Sequence, residues 1–202
     1  MSLASIFVLD LFTDKIVCEY TGRQDFAEDN YEIMRRILLF FNAKGCYENN
    51  LKGLFAYFSR MNCTHLLCDT PEYLRDKQLI KVTGYGNTAK GVHASAPVNN
   101  YANSLIRDWL LKPVTTIVDE GGEKKEINVS NLYFLRNKAL IKELILFNPD
   151  INVDRIRALG MLMLYREEKI IMYQGDMKRT SEDVSTDYLG NDPYFNNNFK
   201  TY

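Results

Sequence analysis

The sequence has no long hydrophobic run and almost no net charge. Its longest apolar stretches, such as ILLFF at Ile37–Phe41, are much shorter than the roughly 20 residues that cross a membrane, so we expect no membrane partner. There are 25 lysine and arginine residues against 26 aspartate and glutamate residues, a formal net charge of −1. Dedicated duplex-binding proteins are usually basic. Any contact with nucleic acid is therefore expected to be local, or assisted by other parts of a larger protein.

The sequence also lacks the paired cysteine spacing of a zinc finger. Its four cysteines (Cys18, Cys46, Cys63 and Cys68) mostly lie inside apolar segments, where free thiols behave as small hydrophobic side chains. Free thiols are typical of a reducing compartment. The chain opens with neither the basic nor the apolar part of a secretory signal, so we expect a cytoplasmic location.

Alternating strand and helix signals predict an α/β fold in the first part of the chain. The β-branched segments SIFVL and KIVCEY flank a polar turn and predict an antiparallel hairpin. Apolar residues at helical spacing then predict an amphipathic helix over Asp25–Asn42. The segments that follow are predicted as a strand at Gly45–Tyr47, a helix at Leu51–Arg60 and a strand at Thr64–Cys68.

The second part of the chain begins with a long loop, predicted over Ile80–Pro97 from its glycines and its lack of periodicity. We expect residues 1–172 to form one domain and residues 173–202, which are polar, to form a tail that is disordered or lies on the surface. The elements predicted after the loop are a helix at Asn99–Leu111, a hairpin of Val114–Val118 with Ile127–Leu132, and helices at Lys138–Phe147 and Asn152–Glu168.

Two carboxylates from separate elements are candidates for a shared site. Glu48 follows a short strand, and Asp154 lies in the first turn of a long apolar helix. Each also has an ordinary interpretation, because acids are favoured at the start of helices. Asp69 precedes Thr70-Pro71 and is predicted to be a helix N-cap. Hard divalent cations prefer oxygen ligands, and two such ions about 4 Å apart suit phosphodiester hydrolysis.

Several motifs give the chain a resemblance to a known family. They are SIFVLDLFTDKIVCEYTGR, the YENN that ends at Asn50, GYGNTAKGVHASAPVNNYANSLIRDWL, and LIKELILFN followed by NVDRIRALGML. In this order they resemble the C-terminal nuclease domain of the large subunit of tailed-phage terminases, which package viral DNA. The resemblance spans most of residues 4–168.

The resemblance implies an RNase H-like fold, with a mixed central sheet flanked by helices on both faces. It also implies an endonuclease that cuts concatemeric double-stranded DNA with two Mg²⁺ or Mn²⁺ ions. Glu48 matches the acid of the strand-end motif, and Asp154 matches the second of two adjacent aspartates. Val153 stands where the first aspartate would be, and Asp150 is a possible substitute ligand. The implied partners are the portal protein, the small terminase subunit and an N-terminal ATPase domain of the same full-length chain.

The same resemblance implies that one catalytic strand is missing. In the family, a strand with an essential aspartate precedes the first hairpin, whereas here only Met1–Ala4 precede it. We therefore expect this fragment to be weak or inactive; Asp10, in the turn of the hairpin, is a poor substitute. No G-x-x-x-x-G-K-[ST] phosphate loop is present. Two alternatives stay open: a catalytically silent RNase H-like docking module for portal or other packaging proteins, and a resolvase- or integrase-like phosphotransferase.

The loop before the helix at Asn99 is the candidate DNA contact. Lys90 and His93 are available there, and Lys77 and Lys81 extend the same basic region. Lysines beside a metal site can position phosphates without reading sequence. The alternative is an ordinary surface loop.

Overall fold

Helices predominate in the structure, and the strands form two separate antiparallel hairpins. The computed structural model describes residues 3–50, 52–80, 89–121, 123–148 and 153–185. The strands are β1 (Ala4–Asp10), β2 (Lys15–Gly22), β3 (Pro113–Glu120) and β4 (Glu123–Ser130). The helices are α1 (Ala27–Phe40), α2 (Gly53–Arg60), α3 (Tyr73–Asp76), α4 (Ala96–Leu111), α5 (Lys138–Ile145) and α6 (Asp154–Ser185), with short 3₁₀ turns at Thr64–Leu66 and Asn131–Phe134.

The hairpin of β1 and β2 is covered by helices on both faces. Successive side chains of a strand point to opposite faces, and here Ile6 packs with α1 and α2 while Phe7 packs with α4, α5 and α6. The predicted mixture of helices and strands is therefore confirmed, but the helices here flank a two-stranded hairpin and not the mixed central sheet that was predicted. The buried side chains on the Ile6 face include Met34, Leu38, Tyr57 and Phe58, and those on the Phe7 face include Ile106, Trp109, Leu140, Val153, Ile156, Leu159 and Met163.

The described residues contain two two-stranded sheets, and mixed pairing is limited to isolated bridges. Gly45 pairs with Leu67 and Glu48 with Val92, both in parallel, whereas Asp69 pairs with Lys90 in the antiparallel sense. These bridges bring three segments together without extending into regular strands. The described residues therefore do not form the single mixed sheet that was predicted.

The predicted strand at Thr64–Cys68 is wrong in part. Residues Thr64–Leu66 form a 3₁₀ turn, and extended pairing begins only at Leu67. Leu66, Leu67 and Cys68 are nevertheless buried. A short apolar run is compatible with either a buried strand or a buried turn, and its periodicity does not distinguish them.

Helix α6 extends well beyond its predicted end at Glu168, through residues predicted as the start of the polar tail. The chain divides into two compact units, Met1–Arg166 and Glu167–Tyr202. In the second unit the described residues are helical to Ser185, and Ile171, Met172 and Tyr173 are exposed. This segment contains no proline, and its Glu, Lys, Met and Arg residues favour a helix despite their polarity. None of the helices in the described ranges combines the length and apolar character needed to cross a membrane.

Candidate metal site and its surroundings

Glu48 lies at the end of a short extended segment and is bordered by hydrogen bonds on both sides. The amide of Val92 donates to the Tyr47 carbonyl at 2.8 Å, and the amide of Asn49 donates to the Val92 carbonyl at 2.9 Å. The Glu48 side chain itself is exposed, and within the described part of the chain no hydrogen bond or ion pair engages its carboxylate. The backbone of Glu48 is therefore fixed while its carboxylate stays available to a ligand.

Asp154 is the first residue of α6, as its predicted place in a helix start requires. Its Oδ2 accepts a hydrogen bond of 2.6 Å from the amide of Leu3, at the start of β1. The next residue in the chain, Arg155, donates through its backbone amide to Glu143 Oε2 at 3.1 Å and through its guanidinium to the same carboxylate. Asp154 is thus held at a point where α5, α6 and the beginning of β1 meet.

The carboxylate of Glu19 lies close enough to Arg155 and Glu143 for their charges to act on it. Its oxygen accepts a hydrogen bond from the Asn137 side chain. Burial raises the pKa of Glu19, and the repulsion from Glu143 adds to that effect, whereas the charge of Arg155 and the bond from Asn137 act in the opposite direction. The side chains around the start of α6 are therefore already engaged with one another, and they hold the helix start in place.

The oxygen donors of Glu48 and Asp154 suit Mg²⁺ or Mn²⁺, because hard cations prefer carboxylate ligands. The third predicted ligand, Asp150, lies outside the described residues. Among the residues that are described, no three His, Cys, Asp or Glu side chains converge as a metal-binding group. Glu48 is flanked by backbone bonds to Val92, whereas Asp154 accepts a bond from the amide of Leu3.

Asp69 does not cap a helix, contrary to prediction. The residue before α3 is Glu72, and it makes no side-chain cap bond. Asp69 instead forms an ion pair with Lys90, with 2.9 Å between Oδ1 and Nζ, and the same ammonium donates to the Leu67 carbonyl at 3.2 Å. The charge of Lys90 is therefore largely compensated within the fold.

The other predicted DNA contacts have different surroundings. His93 is exposed and follows Val92, the bridge partner of Glu48. The ammonium of Lys77 lies 5.3 Å from the ring centre of Tyr101 on α4. Lys81 lies outside the described residues. Of the predicted DNA contacts, His93 is thus the one that lies next to the Glu48 segment and has an exposed side chain.

Asp10 is occupied by its own turn. Its carboxylate accepts hydrogen bonds from the amide of Phe12 at 3.1 Å and from the hydroxyl of Thr13 at 2.7 Å. Both bonds lower the pKa of Asp10, and the bond from Thr13 has the larger effect. This carboxylate stabilises the reversal between β1 and β2, which is a sufficient reason for its presence.

Two residues that the sequence did not mark as functional organise this region. Asn49 donates through its side chain to the Lys90 carbonyl at 2.9 Å, and Asn50 accepts from the Ala94 amide at 2.8 Å. Their proximity to Glu48 in YENN was the available signal, but nothing in the pattern named their partners.

No family model matches this chain, and comparisons with curated proteins and with solved structures give no match either.

Proposed function

We propose that this chain is the metal-dependent nuclease domain of a terminase large subunit from a tailed phage or prophage. Its substrate is concatemeric double-stranded DNA in the host cytoplasm. The observation that supports this most is the exposed Glu48 carboxylate, which lies at the end of an extended segment and beside the segment that carries Lys90 and His93. The resemblance implies a metal-binding role for Glu48, and Lys90 and His93 are candidate DNA contacts.

An RNase H-like arrangement is part of the proposal. It is supported by the helices on both faces of the β1–β2 hairpin and by the parallel bridges at Gly45 and Glu48. In such an arrangement a strand end presents one acid and the start of a late helix presents another. Glu48 and Asp154 occupy those two kinds of position.

Glu48, Asp154 and Asp150 would hold Mg²⁺ or Mn²⁺. When bound, such ions supply an activated water and stabilise the charge on the leaving oxygen of the phosphodiester. His93, with Lys90, Lys77 and Lys81, would position the DNA backbone. Because the chain has a net charge of −1, we infer that the ATPase domain, the small terminase subunit and the portal protein contribute most of the grip on DNA.

Metal binding tests the proposal directly. Mn²⁺ titration followed by electron paramagnetic resonance is to be run on the unaltered chain and on the Glu48→Gln and Asp154→Asn variants. Glu126→Gln, at an exposed position of β4, is the matched control. We expect both site variants to lower Mn²⁺ affinity at least about tenfold, as loss of a charged ligand does, and the control to leave it unchanged.

Nicking of supercoiled plasmid in Mn²⁺ provides the second measurement. Activity is expected to be weak and to disappear in both site variants. Failure of the unaltered chain to bind Mn²⁺, or equal binding by the Glu48→Gln variant, would contradict the assignment of Glu48.

A docking module without catalysis is the second candidate, and one observation favours it. At the end of α1, Leu39, Phe40 and Phe41 are 51%, 83% and 37% exposed, and the two phenyl rings meet edge to face with centroids 4.9 Å apart. Contiguous exposed apolar side chains are typical of protein interfaces. Loss of binding to purified portal protein in a Phe40→Ser variant, in a chain that binds no Mn²⁺, would support this candidate over the nuclease.

A further inference from the structure

Two consecutive asparagines after Glu48 bind a segment that lies more than 40 positions further along the chain. Asn49 Nδ2 donates to the Lys90 carbonyl at 2.9 Å. Asn50 Oδ1 accepts from the Ala94 amide at 2.8 Å, and Asn50 Nδ2 faces the Ala94 carbonyl at a longer 3.5 Å. The carboxamide of Asn50 therefore pairs with Ala94 much as a backbone peptide group would.

These side-chain bonds continue the pairing where the backbone can no longer provide it. Up to Asn49 the chain pairs through its backbone, with Tyr47 and Asn49 both bonded to Val92. Helix α2 begins three positions after Asn50, at Gly53. An amide side chain can reach back with both a donor and an acceptor, and it is the side-chain group that resembles a peptide most closely.

The same bonds border the two exposed groups of the candidate site. Glu48 lies between Tyr47 and Asn49, which are both bonded to Val92, and His93 lies between Val92 and Ala94, which are bonded to the Glu48 segment. The hydrogen bonds of their neighbours therefore hold the backbones of Glu48 and His93 side by side, although both side chains are exposed. Neither side chain contributes a bond to this arrangement.

We propose that Asn49 and Asn50 are positioning residues, which hold the Lys90–Ala94 segment in register with Glu48 and thereby set the geometry between a metal ligand and a DNA contact. This role rests on the proposed function, because it gives Glu48 and His93 their tasks. Groups that orient a metal ligand commonly change metal affinity by tenfold or more when they are removed.

Removal of the Asn50 amide should loosen this register without unfolding the segment. The other side of the segment is held independently, since the Thr70 hydroxyl is 2.8 Å from the Ala89 carbonyl and 2.6 Å from the Gly91 carbonyl, and the Gly91 amide donates to the Cys68 carbonyl at 3.0 Å. Asn50→Ala therefore removes only the two contacts with Ala94, while the bonds of Tyr47 and Asn49 to Val92 and Lys90 stay in place.

Hydrogen exchange and Mn²⁺ titration together test the proposal. In the Asn50→Ala variant we expect exchange of the Ala94 amide to become about tenfold faster, as loss of one hydrogen bond predicts, and Mn²⁺ affinity to fall by about tenfold. Asn50→Asp keeps the acceptor for the Ala94 amide and should retain its protection. This variant is used for exchange only, because its added charge would itself alter metal affinity. Asn100→Ala, at an exposed position of α4, is the control and should change neither quantity.

The outcomes separate this proposal from the proposed function. Faster exchange at Ala94 with unchanged Mn²⁺ affinity would overturn the positioning role and leave the metal site standing. Unchanged exchange at Ala94 would also overturn it. If the unaltered chain binds no Mn²⁺ through Glu48, the proposed function fails, and the positioning role fails with it.

Discussion

The partly buried ion pair of Asp14 allows a quantitative test of how the first hairpin is attached to the helices. Asp14 is the last residue of the turn between β1 and β2, and Arg166 on α6 donates to it through Nε and Nη2, both at 2.6 Å. Lys112 donates to the same carboxylate at 2.7 Å, and the indole of Trp109 donates to the Asp14 carbonyl at 3.2 Å. The perturbation is Asp14→Asn. It removes the charge, keeps the volume, and keeps a residue that tolerates the positive φ of 57° at this position.

The expected magnitude follows from burial. The side chains of Asp14 and Arg166 are 16% and 11% exposed. Removal of one partner from a buried pair costs about 3–5 kcal/mol. Because asparagine retains one oxygen acceptor and the site is not fully buried, we expect a loss of about 2–3 kcal/mol in unfolding free energy. The control is Glu28→Gln, whose partner Arg60 is at a similar 2.7 Å but in a pair that is 59% and 60% exposed; its cost should stay below about 1 kcal/mol.

The assay is urea unfolding at several pH values. Burial disfavours the charged form of Asp14, but the hydrogen bonds and charges of Arg166 and Lys112 outweigh it, so the pKa of Asp14 is lowered. A lowered pKa in the folded state means that the pair stabilises the fold above the ordinary carboxylate pKa, about 4. This contribution is lost as the pH falls through the folded-state pKa. The difference between the unaltered chain and Asp14→Asn should therefore be largest near pH 7 and shrink towards pH 3.

Two results would refute this reasoning. One is an equal loss of stability in Asp14→Asn and Glu28→Gln, because distance rather than burial would then set the energy. The other is a difference for Asp14→Asn that stays constant on acidification. A double-mutant cycle of Asp14→Asn with Arg166→Met adds an independent check, with an expected coupling energy above about 1 kcal/mol.

Two further predictions concern the surroundings of Glu48 and the thiols. A Cβ at Gly91, where φ is +74°, would lie 2.6 Å from the Tyr47 carbonyl oxygen. Gly91→Ala should therefore lower the unfolding free energy by more than about 2 kcal/mol. At Gly121, where φ is +68° and nothing lies within 4 Å of such a Cβ, the same substitution should lower it by only about 1 kcal/mol. Urea unfolding compares the two, and equal costs would contradict the close contact. Cys63 is 6% exposed, and its burial raises the pKa of its thiol. In the native protein, iodoacetamide should therefore modify Cys63 more slowly than the partly exposed Cys18. In urea, the two cysteines should react at similar rates. Peptide mass spectrometry measures both rates, and fast native labelling of Cys63 would show that its burial is wrong.

The elements that sequence reasoning placed well are those with a strong local signal. The hairpin predicted from Val114–Val118 and Ile127–Leu132 is present as β3 with β4, and the helix predicted from Asn99 is present as α4. Its true start at Ala96 brings Pro97 into the first turn, where proline is tolerated because the amide there needs no helical partner. In both cases the deciding information lies within a few residues.

The errors have a common physical origin. The 3₁₀ turn at Thr64–Leu66 was predicted as a strand because burial alone makes a segment apolar, whatever its backbone conformation. Helix α6 was predicted to end too early because its later residues are polar, although their intrinsic helix propensity is high. Asp69 was predicted to cap a helix, yet it pairs with Lys90. Each of these outcomes depends on contacts or propensities that a hydrophobic pattern does not contain.

The sequence by itself determined the two hairpins and most of the helices, because periodicity and short motifs are local properties; it also marked Glu48 and Asp154 as candidate ligands. Only the tertiary structure decided that the segment of Lys90 and Ala94 lies beside Glu48. Side-chain hydrogen bonds from Asn49 to Lys90 and between Asn50 and Ala94 contribute to that contact. The bonded residues are separated by 41 and 44 positions in the sequence. Asparagine is also common in turns, so its presence in the sequence does not predict which distant backbone group it binds.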